Sequence, residues 1–198
     1  MTVDLGAGDG RAVLARAAAH PGELVVGIDA SSAGMVRTSR RAARTAARGG
    51  LPNARFVIAG LEALPAELSD FADLVSVQFP WGSLLAAATG DAPALTHLLV
   101  RLLRPGGTLL LIISASPRDE GAGASGLDPA RIAVVYRQLG MRVAVSRLAT
   151  HDDLEASRSS WGKRLAASPG RATWLMELRD CRAPGYHRRP DASDRGPE

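Results

Sequence analysis

The stretch VDLGAGDG, residues 3–10, decides the fold, because a short apolar run ends there in a glycine-rich loop. Its three glycines let the backbone turn tightly and come close to a ligand. The next apolar run, ELVVGIDA (23–30), ends in Asp29, 19 residues after Gly10. An acid at about this spacing can accept hydrogen bonds from ribose hydroxyls. Together the two strand ends predict a site for a cofactor that contains adenosine.

Short β-rich runs alternate with helical patterns along the chain, which predicts a parallel sheet with right-handed crossovers. Strands are expected at residues 1–5, 23–30, 54–60, 72–79, 108–115, 141–149 and 172–179. Helices are expected at residues 10–20, 31–48, 92–103 and 128–140, with a short helix at most at 62–68 and a partly helical segment after the sixth strand. The last strand follows without a full crossover helix, so it can run antiparallel. The expected fold class is α/β, with a seven-stranded, mostly parallel sheet and helices on both faces.

The 198 residues suit one domain, expected over residues 1–181, and residues 182–198 show no apolar periodicity and are expected to form a disordered tail. The single cysteine, Cys181, allows no internal disulfide, which favours a reducing compartment, the cytoplasm. We see neither a signal peptide nor an apolar run of the roughly 18 residues that a membrane span needs. The four histidines are scattered, so we expect no metal site.

Positive charge is concentrated in one part of the chain. No acidic residue lies between Asp29 and Glu62, and six arginines do, inside a chain of net charge +4. Five of them recur at helical spacings and are expected to form one stripe on the helix after the second strand: Arg37, Arg40, Arg41, Arg44 and Arg48. A solvated outer face is the ordinary explanation of such a run. The lack of acidic partners favours contact with a polyanion.

The charge around the glycine loop narrows the choice of cofactor. Arg11 stands where the dinucleotide fingerprint has its third glycine, and Asp4 and Asp9 add negative charge. That charge disfavours a pyrophosphate and favours a cationic ligand such as S-adenosylmethionine (SAM). A glycine-rich turn without a ligand is the alternative. With the seven-strand order, the pattern resembles the class I SAM-dependent methyltransferases, in which the last strand is antiparallel.

Ligands of open parallel sheets bind beyond the carboxyl ends of the strands, and two loop tryptophans belong to that rim. Trp81 lies in FPWGSLL (79–85), after the fourth strand, and Trp161 lies in SSWGKRL (159–165), after the sixth. Two indoles above a methyl donor can clamp a flat substrate such as an extruded nucleobase. Core packing is the commoner role of a tryptophan. Glu62, after the third strand, can hold adenine or simply favour a helix N-terminus.

The motifs FPWGSLL and SSWGKRL, with DLGAGDG and GIDA, closely resemble the 16S rRNA adenine-1408 N1-methyltransferases, the kanamycin–apramycin resistance enzymes. The resemblance implies that Trp81 and Trp161 hold a flipped adenine in the decoding site of the 30S subunit, with Ser159 beside it. It implies a SAM site formed by Asp4, Gly6, Ala7, Gly8, Asp29, Ala30, Leu61, Glu62, Gln78 and Ser83. It also implies docking on the small ribosomal subunit through the arginine stripe, Lys163, Arg164 and Arg171. We expect a monomer.

The sequence departs from this family in two respects. Family members carry about 20 or more residues before the glycine loop, whereas this sequence begins inside the first strand. Leu61 and Gln78 stand where alanine and leucine are expected. Three other functions stay open: another RNA methyltransferase such as the tRNA guanine-N7 type, a small-molecule methyltransferase, and a ribosome-binding relative without activity.

Overall fold

The computed structural model describes residues 1–114, 127–166 and 172–182. Its seven strands form one sheet in the order β3-β2-β1-β4-β5-β7-β6. Their bounds are β1 Thr2–Leu5, β2 Val25–Asp29, β3 Ala54–Ile58, β4 Ala72–Gln78, β5 Leu103–Ile113, β6 Met141–Leu148 and β7 Trp174–Asp180. The first five strands pair in parallel, and β7 pairs antiparallel with both β5 and β6. The predicted fold class is confirmed, including the antiparallel last strand.

Helices connect these strands in the alternating order that the sequence predicts. Their bounds are α1 Arg11–Ala19, α2 Val36–Ala42, α3 Gly82–Thr89, α4 Pro93–Arg101, α5 Pro129–Gln138, α6 His151–Ala156 and α7 Ser160–Ala166. Short 3₁₀ helices cover Ala46–Arg48, Leu61–Ala63 and Ala66–Leu68. The start of α5 agrees with its sequence signals, because the Asp128 carboxylate accepts hydrogen bonds from the amides of Ala130 and Arg131.

Apolar side chains bury both faces of the sheet, but unequally. The larger core packs α3, α4 and α5 against one face, around Val75, Leu109 and Met176. A smaller core packs α1 and α2 against β2 and β3 on the other face. Beyond α1, this second face carries a groove of about 580 Å³ that extends to α6, with Leu110 and Ile112 on its floor. The two cores fix the strand ends from which the candidate site is built.

The predicted helix over residues 31–48 is wrong in its bounds. The observed helix α2 begins at Val36, after Met35 and without a side-chain cap, and Ser31 and Ser32 lie in the preceding loop. The segment before α2 is held against the glycine loop instead: the Asp29 carboxylate accepts a hydrogen bond from the amide of Ser31 at 2.8 Å. Arg37, Arg40 and Arg41 therefore lie on α2, whereas Arg44 follows it and Arg48 lies on a 3₁₀ helix.

Two further differences concern β4 and the end of the chain. Residues after β4 form the helix α3, which the sequence analysis left as a loop. The predicted tail lies outside the described residues except for Arg182, which is buried and forms an ion pair with Asp180 at 2.8 Å. In the part of the chain that the structure describes, no helix is both long and apolar enough to cross a membrane.

Candidate cofactor and substrate site

The carboxyl ends of β1, β2, β3 and β4 surround one cleft, as the strand order requires. Ten of the predicted site residues line it: Gly6, Gly8, Asp29, Ala30, Leu61, Glu62, Gln78, Trp81, Ser83 and Trp161. The residues that sequence reasoning missed come from the same strand ends: Leu5, Ile28, Ala59, Gly60, Phe79, Pro80, Gly82 and Leu84. Their apolar types carry no chemical signal, and only their adjacency to predicted strand ends marks them.

Asp29 connects the second strand to the glycine loop. One carboxylate oxygen accepts a hydrogen bond from the amide of Gly8 at 2.8 Å, and the other accepts one from the amide of Ser31 at 2.8 Å. Gly6 and Gly8 both have positive φ angles, which glycine adopts without strain. An ionised carboxylate has about four acceptor positions, so Asp29 can still accept hydrogen bonds from a ligand's hydroxyls.

Asp4 lies beneath the glycine loop, and neither it nor Ala7 is among the described residues that line the cleft. Its carboxylate accepts a hydrogen bond from the Ser76 hydroxyl at 2.5 Å. Burial raises the pKa of Asp4 to about 6, and the nearby Asp29 raises it further, against the hydrogen bond from Ser76. Asp4 therefore acts on the cleft from below, through its neighbours.

Gln78 ends β4 beside this buried pair and lines the cleft. Its Nε2 lies 3.5 Å from the Ser76 hydroxyl, a long and weak contact. Its Oε1 is buried and has no hydrogen-bond partner among the described residues. A buried acceptor without a partner costs stability, and a donor group on a ligand would satisfy it.

A sharp turn after β4 projects Trp81 into solvent. Phe79 adopts a φ of 52°, a conformation that is uncommon outside glycine, and its amide donates to Ile112 O at 2.7 Å. Gly82 also has a positive φ and begins α3, with Trp81 as the N-cap residue. The Trp81 side chain is 82% exposed. An indole so exposed contributes little to the core, which favours a role in binding.

Trp161 faces the same cleft from α7 and is 52% exposed. The Ser159 hydroxyl accepts a hydrogen bond from the amide of Gly162 at 2.9 Å, as an N-cap does. A side chain on Gly162 would overlap Leu154 O and the Ser157 hydroxyl of α6 and its end. Gly162 is therefore required by the close packing of α7 on α6, whereas Gly82 is required by its backbone conformation.

Helix α6, on which α7 rests, is itself anchored at its start. Thr150 and Asp153 form a capping box, and the Arg147 guanidinium binds the Asp153 carboxylate at 2.5 and 3.0 Å. These hydrogen bonds hold the pKa of Asp153 well below its ordinary value. The carboxylate thus remains ionised at neutral pH and keeps α6 attached to the end of β6.

The predicted RNA-binding side chains lie on the surface around this rim. Arg37, Arg40, Arg41, Arg44 and Arg48 are all exposed, and within the described ranges none of them has an ion-pair partner. Lys163 and Arg164 are exposed on α7, and the Arg164 guanidinium lies 5.4 Å from the centre of the Trp161 ring. Arg171 lies outside the described residues.

The chemistry of the lining fits SAM. Asp29 and Glu62 are acidic, Gln78 offers its buried acceptor, and no lysine or arginine is among the described lining residues. Such a lining favours a cationic ligand over a pyrophosphate. Asp29 would hold the ribose, Leu61 and Ile28 would contact the adenine, and Trp81 and Trp161 lie at the open side of the cleft.

Comparisons with known proteins agree with this geometry. Residues 1–179 match the family model NpmA, 16S rRNA (adenine(1408)-N(1))-methyltransferase. A 16S rRNA (adenine(1408)-N(1))-methyltransferase of Streptoalloteichus hindustanus is 32% identical over 179 residues, which cover 86% of this chain and 82% of that protein. The corresponding Escherichia coli enzyme is 41% identical over 83 residues, 42% of this chain and 38% of that protein.

Solved structures give the same answer. A mutant 16S rRNA (adenine(1408)-N(1))-methyltransferase from Catenulisporales acidiphilia with cosubstrate SAM is 34% identical, with a TM-score of 0.77 over 92% of this chain and 87% of that chain. The 16S rRNA methyltransferase KamB is 29% identical, with a TM-score of 0.80 over 90% of this chain and 86% of that one. From the match along residues 1–179 and the identity to curated members, this chain belongs to the family of 16S rRNA (adenine(1408)-N(1))-methyltransferases.

Proposed function

We propose that this protein transfers a methyl group from SAM to N1 of an adenine in the decoding site of 16S rRNA, and thereby confers aminoglycoside resistance. The observation that carries the proposal is the placement of two exposed indoles, Trp81 and Trp161, over a cleft whose acceptors suit SAM. The relatives named above are 16S rRNA (adenine(1408)-N(1))-methyltransferases, and a structure of one of them contains SAM.

The chemistry requires orientation more than acid–base help. When bound, SAM supplies a methyl group already activated by its sulfonium, which the N1 lone pair of adenine can attack. Trp81 and Trp161 would stack on the two faces of an extruded adenine and hold N1 in line with that methyl group. The methylated base is cationic, so the indole faces also favour the charge that develops. No general base is assigned, because N1 carries no proton at neutral pH.

The exposed arginines of α2 and the loop after it supply the second part of the proposal. Five unpaired positive charges on one surface would repel one another without a polyanion to neutralise them. We propose that they contact rRNA phosphates of the intact 30S subunit, together with Lys163 and Arg164, and that the protein works as a monomer in the cytoplasm. Such contacts orient the protein and leave base selection to the cleft.

Transfer of labelled methyl groups to purified 30S subunits tests this function. We expect incorporation of about one methyl group per 30S subunit and none into tRNA or free nucleosides. Label in tRNA would favour a tRNA methyltransferase instead. Calorimetric binding of SAM without any incorporation would identify an inactive ribosome-binding relative. Absence of SAM binding would reject the cofactor assignment itself.

A further inference from the structure

A contact between distant parts of the chain lies beside the proposed base clamp. The Ser160 hydroxyl donates a hydrogen bond to Oδ2 of Asp9, and the two residues are 151 positions apart. Asp9 belongs to the glycine loop, between Gly8 and Gly10, and Ser160 is the first residue of α7 and precedes Trp161. Neither residue lines the cleft.

Asp9 joins three elements at this point. Its carboxylate also accepts from the amide of Arg11 at 3.1 Å and lies 3.3 Å from the Arg11 guanidinium. Its carbonyl oxygen accepts a hydrogen bond from the Thr38 hydroxyl of α2 at 2.8 Å. The glycine loop, the arginine-bearing helix α2 and the tryptophan-bearing helix α7 therefore share one residue, whose position is fixed from several sides.

Helix α7 has few other attachments in its described part. Among the side chains described on it, Trp161, Lys163 and Arg164 are exposed, and Ser160 is half-buried. Gly162 is buried, but it offers only its backbone to the packing against α6. A short helix with so little buried surface opens easily, so a hydrogen bond to a carboxylate contributes a large share of its local stability.

We infer that Ser160 is a positioning residue, whose hydrogen bond to Asp9 holds α7 so that Trp161 stands over the cofactor cleft; the inference rests on the proposed function of Trp161. The glycine loop presents Gly8 to the cleft and Asp9 to α7. Ordering of that loop by SAM is therefore transmitted to α7, and ordering of α7 by RNA strengthens SAM binding in return. The contact links cofactor occupancy to readiness of the clamp.

Hydrogen exchange of the α7 amides, with and without SAM, tests the inference without any RNA. In the Ser160→Ala variant, we expect exchange in α7 to be about tenfold faster than in the wild type, since a hydrogen bond to a charged group is lost. SAM should slow this exchange in the wild type and not in Ser160→Ala. Alanine favours helix more than serine does, so the faster exchange cannot come from helix propensity.

Three further variants make the test specific. Ser160→Thr keeps the hydroxyl and should restore the wild-type exchange. Ser69→Ala removes a hydroxyl that bonds only locally, to Ala66 O at 2.6 Å, and should change nothing. In a double-mutant cycle, Asp9→Ala combined with Ser160→Ala should be no worse than Asp9→Ala alone, because one contact cannot be lost twice.

Methyl transfer to 30S subunits then gives a separate readout. We expect Ser160→Ala to lower kcat about tenfold while the Kd for SAM and the unfolding temperature stay within error of the wild type. Unchanged α7 exchange in Ser160→Ala, or additive effects of Asp9→Ala and Ser160→Ala, would overturn the inference. A wild type that fails to methylate 30S subunits would instead reject the proposed function and leave the exchange result valid.

Discussion

At the scale of single residues, the polar groups under the cofactor cleft bear a cost in stability. Asp4 is buried beneath the glycine loop with one hydrogen bond from Ser76, and Gln78 has a buried acceptor without a partner among the described residues. An apolar core at these positions would be more stable. Residues kept despite such a cost are found mostly at functional sites, which agrees with their place next to the proposed SAM site.

The raised pKa of Asp4 makes the free energy of unfolding depend on pH. The folded pKa of about 6 lies above the ordinary 3.8, so the folded protein retains a proton that the unfolded chain has released. Stability is therefore fully present below pH 3.8, falls as pH rises to about 6, and is constant above. Asp4→Asn removes this dependence, and its advantage over the wild type should grow across that window by on the order of 3 kcal/mol.

Urea unfolding at a series of pH values measures that difference. Glu67→Gln serves as a control, since Glu67 is exposed on a 3₁₀ helix and should show no such trend. A difference between Asp4→Asn and wild type that stays constant from pH 4 to pH 7 would contradict the assignment.

Gln78→Leu tests the second buried polar group. The substitution removes the unpartnered Oε1 and gives up only the 3.5 Å contact with Ser76. We expect the free energy of unfolding to rise by about 1 kcal/mol, or the unfolding temperature by about 2–4 °C, in the absence of SAM. If the amide binds the cofactor, the same variant should bind SAM more weakly in calorimetry. A less stable variant would mean that Gln78 has a partner in solution.

At the scale of elements, the sequence predicted strands better than helix ends. Each strand is a short apolar run with clear bounds, and the strand ends correctly indicated one shared rim. The helix predicted over 31–48 fails at both ends for physical reasons. At its start, Gly34 packs so closely on Gly8 O that a side chain there would overlap it, so tertiary contact overrides the serine caps. At its end, α2 stops before Arg44, where further arginines four apart would repel.

Contacts between remote elements were beyond the reach of sequence patterns. Helix α3 was missed because Leu85, Ala87, Ala88 and Thr89 are all buried, which removes the alternation of polar and apolar faces. The hydrogen bond between Asp9 and Ser160 joins residues 151 positions apart and has no local signature. Residue types at strand ends could be predicted, whereas their side-chain partners could not.

The packing of α7 on α6 predicts a strong effect of Gly162→Ala. The added methyl group would lie 2.5 Å from Leu154 O, which belongs to the backbone and cannot rotate away. Helix α7 must shift, and we expect methyl transfer to fall by at least tenfold while the Kd for SAM changes less than twofold. Gly22→Ala is the matched control, because nothing lies within 4 Å of the added methyl group. Equal activity of the two variants would contradict the role of this packing.

At the scale of the whole molecule, the sheet brings the charged surface and the cleft to one side. Helix α2 follows β2 and is tied to the glycine loop through Thr38 and Asp9, so its exposed arginines lie next to the cofactor cleft. Lys163 and Arg164 lie beside Trp161 on α7, across the cleft from the glycine loop residues. A nucleic acid that reaches the cleft therefore meets positive charge on the surrounding rim.

The salt dependence of 30S binding tests this arrangement. Arg37→Gln with Arg40→Gln removes two exposed charges on α2, and should reduce the slope of log K against log salt by about 2. Arg137→Gln with Arg142→Gln removes two exposed charges elsewhere and should leave the slope unchanged. Equal slopes for the two double variants would show that α2 does not contact rRNA phosphates.

Mass spectrometry of 16S rRNA from treated 30S subunits tests the central claim most directly, because it identifies both the base and the atom that receive the methyl group. The wild-type protein with SAM should produce 1-methyladenosine at the decoding-site adenine. Trp81→Ala and Trp161→Ala should each lower the yield at least a hundredfold while SAM still binds, since one face of the base clamp is lost. Full yield from both tryptophan variants, or a methyl group on another base or atom, would contradict the account.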